Sequence, residues 1–174
     1  MMGIKGHSVL ILLSSFVCCS CSSSLLDDGG GSDISGIPQH INAPGEKVVL
    51  VDPSSHRWGA YESDGSLVRS GLASAGSDYC KDLDEPCHTE VGTFRIRSLG
   101  GPDCISHAFP LPNGGAPMPY CMYFTEEQAL HGVPESELGE ANLSHGCVRM
   151  HVGDAAWLRY NFVNVGTKVV VEPY

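Results

Sequence analysis

Three short apolar segments separated by turns occupy residues 47–69. The segments at 47–51 and 57–61 are joined by Asp52-Pro53-Ser54-Ser55, and a second turn leads into Leu67-Val68-Arg69. Turn residues at this spacing between short apolar runs are typical of consecutive antiparallel strands. A chain with 21 Gly, 11 Pro and few long periodic runs favours many short strands over long helices. The sequence therefore predicts a mainly β domain.

Later segments extend this pattern. Further strands are predicted at 93–97, 122–124 and 167–171, and the last of these is expected to close the sheet. Helix signals are weaker: 125–130 begins with a Thr cap and early acids, and 153–160 has an Asp near its start. The fold class that we predict is mainly β with two or three short helices.

The N-terminus has the features of an export signal. An apolar run at 9–17 is too short to span a bilayer as a mature helix. Cys18, Cys19 and Cys21 follow it beside a run of serines, which resembles the end of a bacterial lipoprotein signal. We predict a signal peptide over residues 1–21, lipidation at one of these three cysteines, and a secreted protein of the periplasm or cell envelope.

The segment at 22–44 is rich in Ser, Gly and Asp. Such a composition cannot bury enough apolar surface to offset the entropy of ordering the chain, and it predicts a flexible linker. The remaining residues, 45–174, have the length of one ordinary domain.

The acidic composition restricts the partners. The formal net charge is −10 and the basic residues are scattered along the chain. A phosphate-rich polymer is an unfavourable partner for such a chain. We therefore expect no nucleic-acid partner, and membrane association only through the lipid anchor.

The cysteine count after the leader is odd. The five residues are Cys80, Cys87, Cys104, Cys121 and Cys147. In an oxidising compartment one thiol should remain unpaired. If Cys147 is that thiol, the other four allow three pairings, of which the most local joins Cys80 to Cys87 and Cys104 to Cys121. Neither C-x-x-C nor H-E-x-x-H spacing occurs within residues 45–174, so we expect no metal and no cofactor.

Cys147 lies in the segment Ser144-His145-Gly146-Cys147-Val148-Arg149-Met150. A thiol with a pKa near 8.5 is mostly protonated at neutral pH, and an imidazole that takes its proton raises the thiolate fraction. Gly146 allows the backbone to approach closely, so that nearby N–H groups can stabilise an oxyanion. From these residues alone, a reactive cysteine and a buried free cysteine beside an incidental histidine explain the pattern equally well.

Two further segments favour the reactive cysteine. His131-Gly132 begins sixteen residues before Cys147, and Thr89-Glu90-Val91-Gly92-Thr93-Phe94 lies farther upstream. Together with 144–150, these segments resemble the signature of the YkuD-type L,D-transpeptidases, and the resemblance extends over about residues 45–174. It implies a β-sandwich or barrel that carries a cysteine acyltransferase site.

The resemblance implies a role for each motif residue. Cys147 corresponds to the nucleophile, and His131 to the general base, whose ring the carbonyl of Gly132 is expected to orient. Four residues are expected to line the site or the oxyanion position, namely His145, Gly146, Gly132 and Ser144. Three more are expected to bind substrate: Arg149, Tyr120 and Tyr123.

Some segments depart from the family pattern. Cys121 stands where an aromatic residue is common, and Tyr123 replaces a frequent arginine. The segment at 80–87 has no counterpart in the pattern and is interpreted as a disulfide clip. The proline-rich segment at 109–119 is interpreted as an ordered surface loop beside the site.

The activity that the resemblance implies is acyl transfer on peptidoglycan stem peptides, in the service of cell-wall biogenesis. The acceptor would be an amine on a second stem or on an envelope protein. Two alternatives stay open. An L,D-carboxypeptidase or cysteine amidase would use the same residues and pass the acyl group to water, whereas a peptidoglycan-binding lipoprotein would perform no catalysis.

Overall fold

The computed structural model describes residues 1, 3 and 36–174. The predicted lipidation sites Cys18, Cys19 and Cys21 lie outside the described residues, as does the linker up to residue 35. Within the part of the chain that is described, no helix is long and apolar enough to cross a membrane.

Nine strands form one sheet within residues 36–174. They are β1 (Val48–Asp52), β2 (Arg57–Tyr61), β3 (Leu67–Ser74), β4 (Gly92–Arg95), β5 (Ser98–Leu99), β6 (Met122–Tyr123), β7 (Ala129–Val133), β8 (Val148–His151) and β9 (Lys168–Val171). Their order across the sheet is β4-β9-β1-β2-β3-β8-β7-β6-β5. The C-terminal strand β9 therefore lies inside the sheet, between β4 and β1, and not at a closing edge.

Strand β3 joins the two halves of the sheet. It pairs with β2 as far as Leu72, and its last two residues, Ala73 and Ser74, pair with β8. The sheet curls so that both halves bury side chains in one core, which includes Val49, Trp58, Leu130 and Val148. The prediction of a mainly β fold is confirmed, and the apolar alternation of the short strands supplies this core.

One short α-helix follows the sheet. This helix, α1 (Val152–Trp157), continues into a π-helical segment at Leu158–Phe162. The His151 side chain caps it by accepting a hydrogen bond from the Gly153 N–H at 3.1 Å. A 3-10 turn at Glu135–Glu137 is the other helical element of the described chain. The helix predicted at 153–160 is thus present with shifted bounds.

The helix predicted at 125–130 is wrong. Thr125 Oγ1 accepts hydrogen bonds from the N–H groups of Glu127 and Gln128, as a cap would, but only a bend follows before β7 begins. Phe124 and Leu130 on either side are buried in the core, and β7 pairs with two neighbouring strands. Tertiary pairing of an apolar strand therefore overrides a weak local preference for helix.

The described end of the predicted linker packs against the sheet. Ile37 is 1% exposed and forms a small cluster with Leu50 and Tyr61. The Tyr61 hydroxyl donates a hydrogen bond to the carbonyl oxygen of Pro38 at 2.7 Å. The segment around Ile37 therefore covers a part of one face of the sheet, and Ile41 packs against the same cluster.

Candidate active site

The parallel pair β7·β8 brings the two predicted catalytic residues to one face. His131 on β7 is the register partner of Arg149 on β8, and Cys147 directly precedes β8. Because side chains alternate along a strand, Val148 and Met150 enter the core while Cys147 and Arg149 point the other way. His131, Cys147 and Arg149 all line one cleft.

This cleft has a volume of about 1220 Å³ and is bordered by several loops. The loop at 80–87 contributes Leu83 and Glu85, and the proline-rich segment contributes Phe109, Pro117 and Met118. The segment predicted as a surface loop beside the site thus forms one of its walls. A cleft of this size accommodates an extended peptide.

Cys147 is the one cysteine of the described chain that lies outside a disulfide. Its side chain is partly exposed, and its Sγ lies 3.8 Å from the carbonyl oxygen of Glu127. Burial raises the pKa of the Cys147 thiol above its ordinary value, against the opposing effects of the Ala129 backbone and the Arg149 charge. The resting cysteine is therefore a thiol that needs a base in order to attack.

His131 is held as a neutral base. It is 5% exposed, and its Nδ1 lies 3.0 Å from the carbonyl oxygen of Gly132. Since a carbonyl only accepts, Nδ1 carries the proton and Nε2 keeps a lone pair. Burial lowers the pKa of His131 to about 4; the Gly132 hydrogen bond opposes this effect and the charge of Arg149 adds to it. At neutral pH the ring can accept a proton at Nε2.

The motif loop before β8 is fixed by its own serine. Ser144 is 1% exposed, and its Oγ accepts a hydrogen bond from the Gly146 N–H at 3.0 Å and donates one to the Cys147 carbonyl oxygen. Gly146 has φ +113°, and a Cβ there would meet Gln128 Nε2 at 2.8 Å. Glycine is thus required, and because its N–H is engaged by Ser144, that N–H does not serve as an oxyanion donor.

A threonine that the sequence analysis placed only in a family segment supports this loop. Thr89 is 1% exposed; its Oγ1 donates to the Gly146 carbonyl oxygen at 2.8 Å and accepts from the Gly76 N–H at 3.0 Å. The Tyr174 hydroxyl accepts from the Thr89 N–H and donates to the Gly76 carbonyl oxygen, both at 2.9 Å. The position of Thr89 in the family segment was the available signal, but its partners are distant in sequence.

His145 lines the cleft in a different way from His131. Its Nε2 lies 2.9 Å from both carboxylate oxygens of Asp82, and its ring stacks on Phe109 with centroids 4.3 Å apart. The hydrogen bond from His145 holds the pKa of the Asp82 carboxyl below its ordinary value. Asp82 was not identified from the sequence, and Phe109 was placed beside the site only as the first residue of the segment 109–119, because no local pattern links either residue to His145.

The same place is the one group of possible metal ligands found in residues 36–174. Cys80, Asp82 and His145 offer atoms within 4.8 Å of one another. However, the Cys80 sulfur is bonded to Cys87, so it is not a thiolate, and only two ordinary ligands remain. The arrangement therefore fits a hydrogen-bonded pair of His145 and Asp82 better than a metal centre.

The structure contains the more local pair of disulfides, Cys80–Cys87 and Cys104–Cys121. The first closes the loop that carries Asp82. The second lies under the cleft, where Cys121 is 2% exposed and packs in a cluster that also touches Cys147. Both disulfides thus stiffen segments that border the cleft.

The predicted substrate-binding residues separate into two groups. Arg149 and Tyr123 line the cleft, and burial together with the nearby Cys147 raises the pKa of Tyr123. Tyr120 does not line it: its ring packs against the main core and meets the edge of Tyr160 at 5.7 Å. The substrate-binding role of Tyr120 stays a prediction, and the structure places its ring against the core outside the cleft lining.

Comparison with known proteins agrees with this geometry. The sequence model of the YkuD L,D-transpeptidase catalytic domain matches residues 46–171. The putative L,D-transpeptidase YciB of Bacillus subtilis (strain 168) is 27% identical over 136 residues, which are 73% of this chain and 67% of that protein.

Solved structures show the same fold. The L,D-transpeptidase from Xylanimonas cellulosilytica DSM 15894 superposes with a TM-score of 0.64 at 25% identity, over 78% of this chain and 64% of that one. An L,D-transpeptidase from Mycobacterium smegmatis superposes with a TM-score of 0.60 at 26% identity, over 74% of this chain and 59% of that one. The present chain thus spans less than two thirds of either solved chain. Since the family match covers nearly all of the domain built around this cleft, the chain belongs to the YkuD family of L,D-transpeptidase catalytic domains.

Proposed function

We propose that the protein is an L,D-transpeptidase that acts on peptidoglycan stem peptides through an acyl-enzyme on Cys147. The observation that carries this proposal is the pairing of a neutral, oriented His131 with the single free thiol of the described chain in one cleft. A thiol and a base with a free lone pair in one cleft are the two groups that nucleophilic acyl transfer needs.

In the first step, Cys147 Sγ attacks the carbonyl carbon between the third and fourth residues of a stem tetrapeptide. His131 Nε2 takes the thiol proton and then gives it to the leaving nitrogen. The C–N bond breaks, D-alanine leaves as the free amino acid, and a thioester remains on Cys147. The carbonyl of Gly132 stabilises the imidazolium while it exists, since it accepts from Nδ1–H in both protonation states.

In the second step, an amine on another stem or on an envelope protein attacks the thioester, and its proton passes through His131 to the Cys147 sulfur. Arg149 lies beside both residues and supplies a positive charge in the cleft. That charge suits a substrate carboxylate, which a guanidinium binds with two parallel hydrogen bonds.

The protein acts, in this proposal, outside the cytoplasm and is anchored through a lipidated Cys18, Cys19 or Cys21. The two disulfides of the domain support export, because such bonds persist in oxidising compartments. Labelling of cells with a radioactive or alkyne fatty acid tests the anchor. Label that remains on a protein with all three cysteines replaced by serine would contradict it.

The acyl-enzyme is tested with a carbapenem, whose ring carbonyl is open to attack by the family's cysteine. We expect the intact mass to rise by one carbapenem and peptide mapping to place the adduct on Cys147. The Cys147→Ala variant is the matched control and should gain no mass. An unmodified wild-type protein would count against the proposal.

Product analysis separates transfer from hydrolysis. Purified stem tetrapeptide is incubated with and without an amine acceptor, and the products are resolved by mass spectrometry. Cross-linked or amine-exchanged stems support the proposal. Stems that are only shortened by one residue would identify an L,D-carboxypeptidase, and stems that are bound but unchanged would identify a binding protein.

A further inference from the structure

The loop closed by the Cys80–Cys87 disulfide reaches the motif histidine. Asp82 at its tip places both carboxylate oxygens 2.9 Å from His145 Nε2. Leu83 and Glu85 from the same loop line the cleft. The loop is therefore a part of the cleft wall as well as a partner of His145.

The His145 ring is held on two sides. Asp82 binds its Nε2 edge, and the Phe109 ring stacks on its face with an interplanar angle of 26°. His145 precedes Cys147 by two residues, and both side chains are partly exposed while Gly146 between them is buried. The ring is thus a fixed surface beside the nucleophile, with its Nε2 engaged by a carboxylate.

The loop is tied to the backbone that carries the motif. The Cys80 N–H donates to the Glu85 carbonyl oxygen at 2.8 Å, which closes the loop beside the disulfide. The Cys87 N–H donates a hydrogen bond to the Ser77 carbonyl oxygen at 3.1 Å. The Ser77 N–H in turn donates one to the Ser144 carbonyl oxygen at 2.9 Å. The position of Asp82 relative to His145 is therefore set by covalent and hydrogen-bonded connections.

We propose that residues 80–87 form a specificity loop in which Asp82 is a positioning residue that fixes the His145 ring as a wall of the substrate cleft. This inference rests on the proposed function and names a determinant of substrate binding within it. Asp82 acts through His145 and touches none of the reacting atoms. Loss of its carboxylate should weaken the binding of the stem peptide and leave the chemistry at Cys147 intact.

A matched control is available in the same region. Asp78 forms an equivalent pair with His88 at 2.7 Å, and neither residue lines the cleft. The Asp82 side chain is 49% exposed and that of Asp78 is 89% exposed, so neither pair contributes much to folding. A kinetic difference between variants of the two aspartates thus reports on position relative to the cleft.

The variants to compare are Asp82→Ala, Asp82→Asn and Asp78→Ala. We expect Asp82→Ala to raise KM for the stem tetrapeptide about fivefold or more with kcat within about twofold, the pattern of lost ground-state binding. Asp82→Asn keeps an acceptor for His145 Nε2–H and should restore KM to near the wild-type value. Asp78→Ala should behave as the wild type. An unchanged KM in Asp82→Ala, or equal effects of both alanine variants, would overturn the inference.

A second pair of measurements checks the chemistry. The rate of Cys147 acylation by a carbapenem should stay close to the wild-type rate in Asp82→Ala. The double variant Cys80→Ser/Cys87→Ser should also raise KM, as Asp82→Ala does. Its circular dichroism spectrum is compared with that of the wild type to check that it folds. A large fall in the carbapenem rate would show that Asp82 acts on the nucleophile, and it would overturn the inference.

Direct binding separates this inference from the proposed function. Stem tetrapeptide is titrated into Cys147→Ala and into Cys147→Ala/Asp82→Ala by calorimetry. Weaker binding to the double variant supports the specificity loop, and equal binding overturns it alone. Tight binding without any turnover by the wild type would overturn the proposed function alone, and no binding to either variant would overturn both.

Discussion

Two pairs of parallel strands in the described sheet, β1·β9 and β7·β8, share a geometry and differ in what lies on their second face. In β1·β9 the register partners Val49 and Val169 enter the main core. The opposite face carries Leu50 and Val170, and the segment around Ile37 covers it. This pair is therefore apolar on both sides, as buried parallel strands usually are.

In β7·β8 the inner face is equally apolar. Leu130 and Val148 are register partners and both are fully buried. The opposite face carries His131, Cys147 and Arg149, and an apolar cluster that includes Met118 and Cys121 covers only a part of it. The loops around the rest of this face leave a cleft. The two parallel pairs thus share one geometry, and the cover and the outward side chains decide which of them carries the candidate active site.

The largest expected effect tests the open face. His131→Gln keeps a donor for the Gly132 carbonyl but removes the base, so turnover should fall by about 10²- to 10⁴-fold. The fall is measured as the ratio of the carbapenem acylation rates of the wild type and the variant, followed by mass spectrometry. A variant that acylates at the wild-type rate would show that the base lies elsewhere and would break the contrast between the two faces.

The second prediction concerns the energetic cost of placing a base on this face. In the unfolded chain the His131 imidazole becomes protonated below its ordinary pKa of 6.5. In the folded protein burial lowers this pKa to about 4, so the ring becomes protonated only near pH 4. Unfolding takes up a proton in that window, so stability falls as the pH is lowered from about 6.5 to about 4, by about 3 kcal/mol in total.

Urea unfolding of the wild type and of His131→Gln at pH 7 and pH 4 measures this loss of stability. The variant does not titrate at this position, so its stability should fall by about 3 kcal/mol less than that of the wild type. Equal losses in the two proteins would mean that the site does not hold the ring neutral.

The smallest effect tests the covered face. Ile37→Ala removes a side chain that is 1% exposed, and it should lower the free energy of unfolding by about 2 to 3 kcal/mol. The acylation rate of Cys147 should not change, because the cover and the cleft lie on different strand pairs. A variant that loses acylation at full folding would show that the two regions are coupled. Val68→Ala on the exposed part of β3 serves as the control and should leave both quantities unchanged.

The sequence predicted the strands with a clear apolar pattern much better than those that carry the site. Strands β1 and β2 agree with their predicted ranges because alternation and turn residues are local signals. Strands β7 and β8 were not predicted as strands, although their segments were singled out for chemistry. In both strands, the residues on the open face interrupt the apolar pattern that would have indicated a strand.

The same division holds within the candidate site. The motif and its upstream histidine pointed to Cys147 and His131, and the odd cysteine count agreed with a free thiol. The side chains that hold the motif loop and His145, namely those of Thr89, Asp82 and Phe109, were not assigned to the site. Each lies far from its partner in sequence, and only the curled sheet and the disulfide loop bring them together.

The sequence by itself predicted the mainly β class and the family, and it pointed to Cys147 and His131 as the candidate reactive pair, because these depend on local periodicity and on a contiguous motif. The tertiary structure decided which face of which parallel pair remains open, which tautomer His131 adopts, and which carboxylate meets His145. Those properties depend on burial and on contacts between distant segments, and neither is encoded at a fixed spacing along the chain.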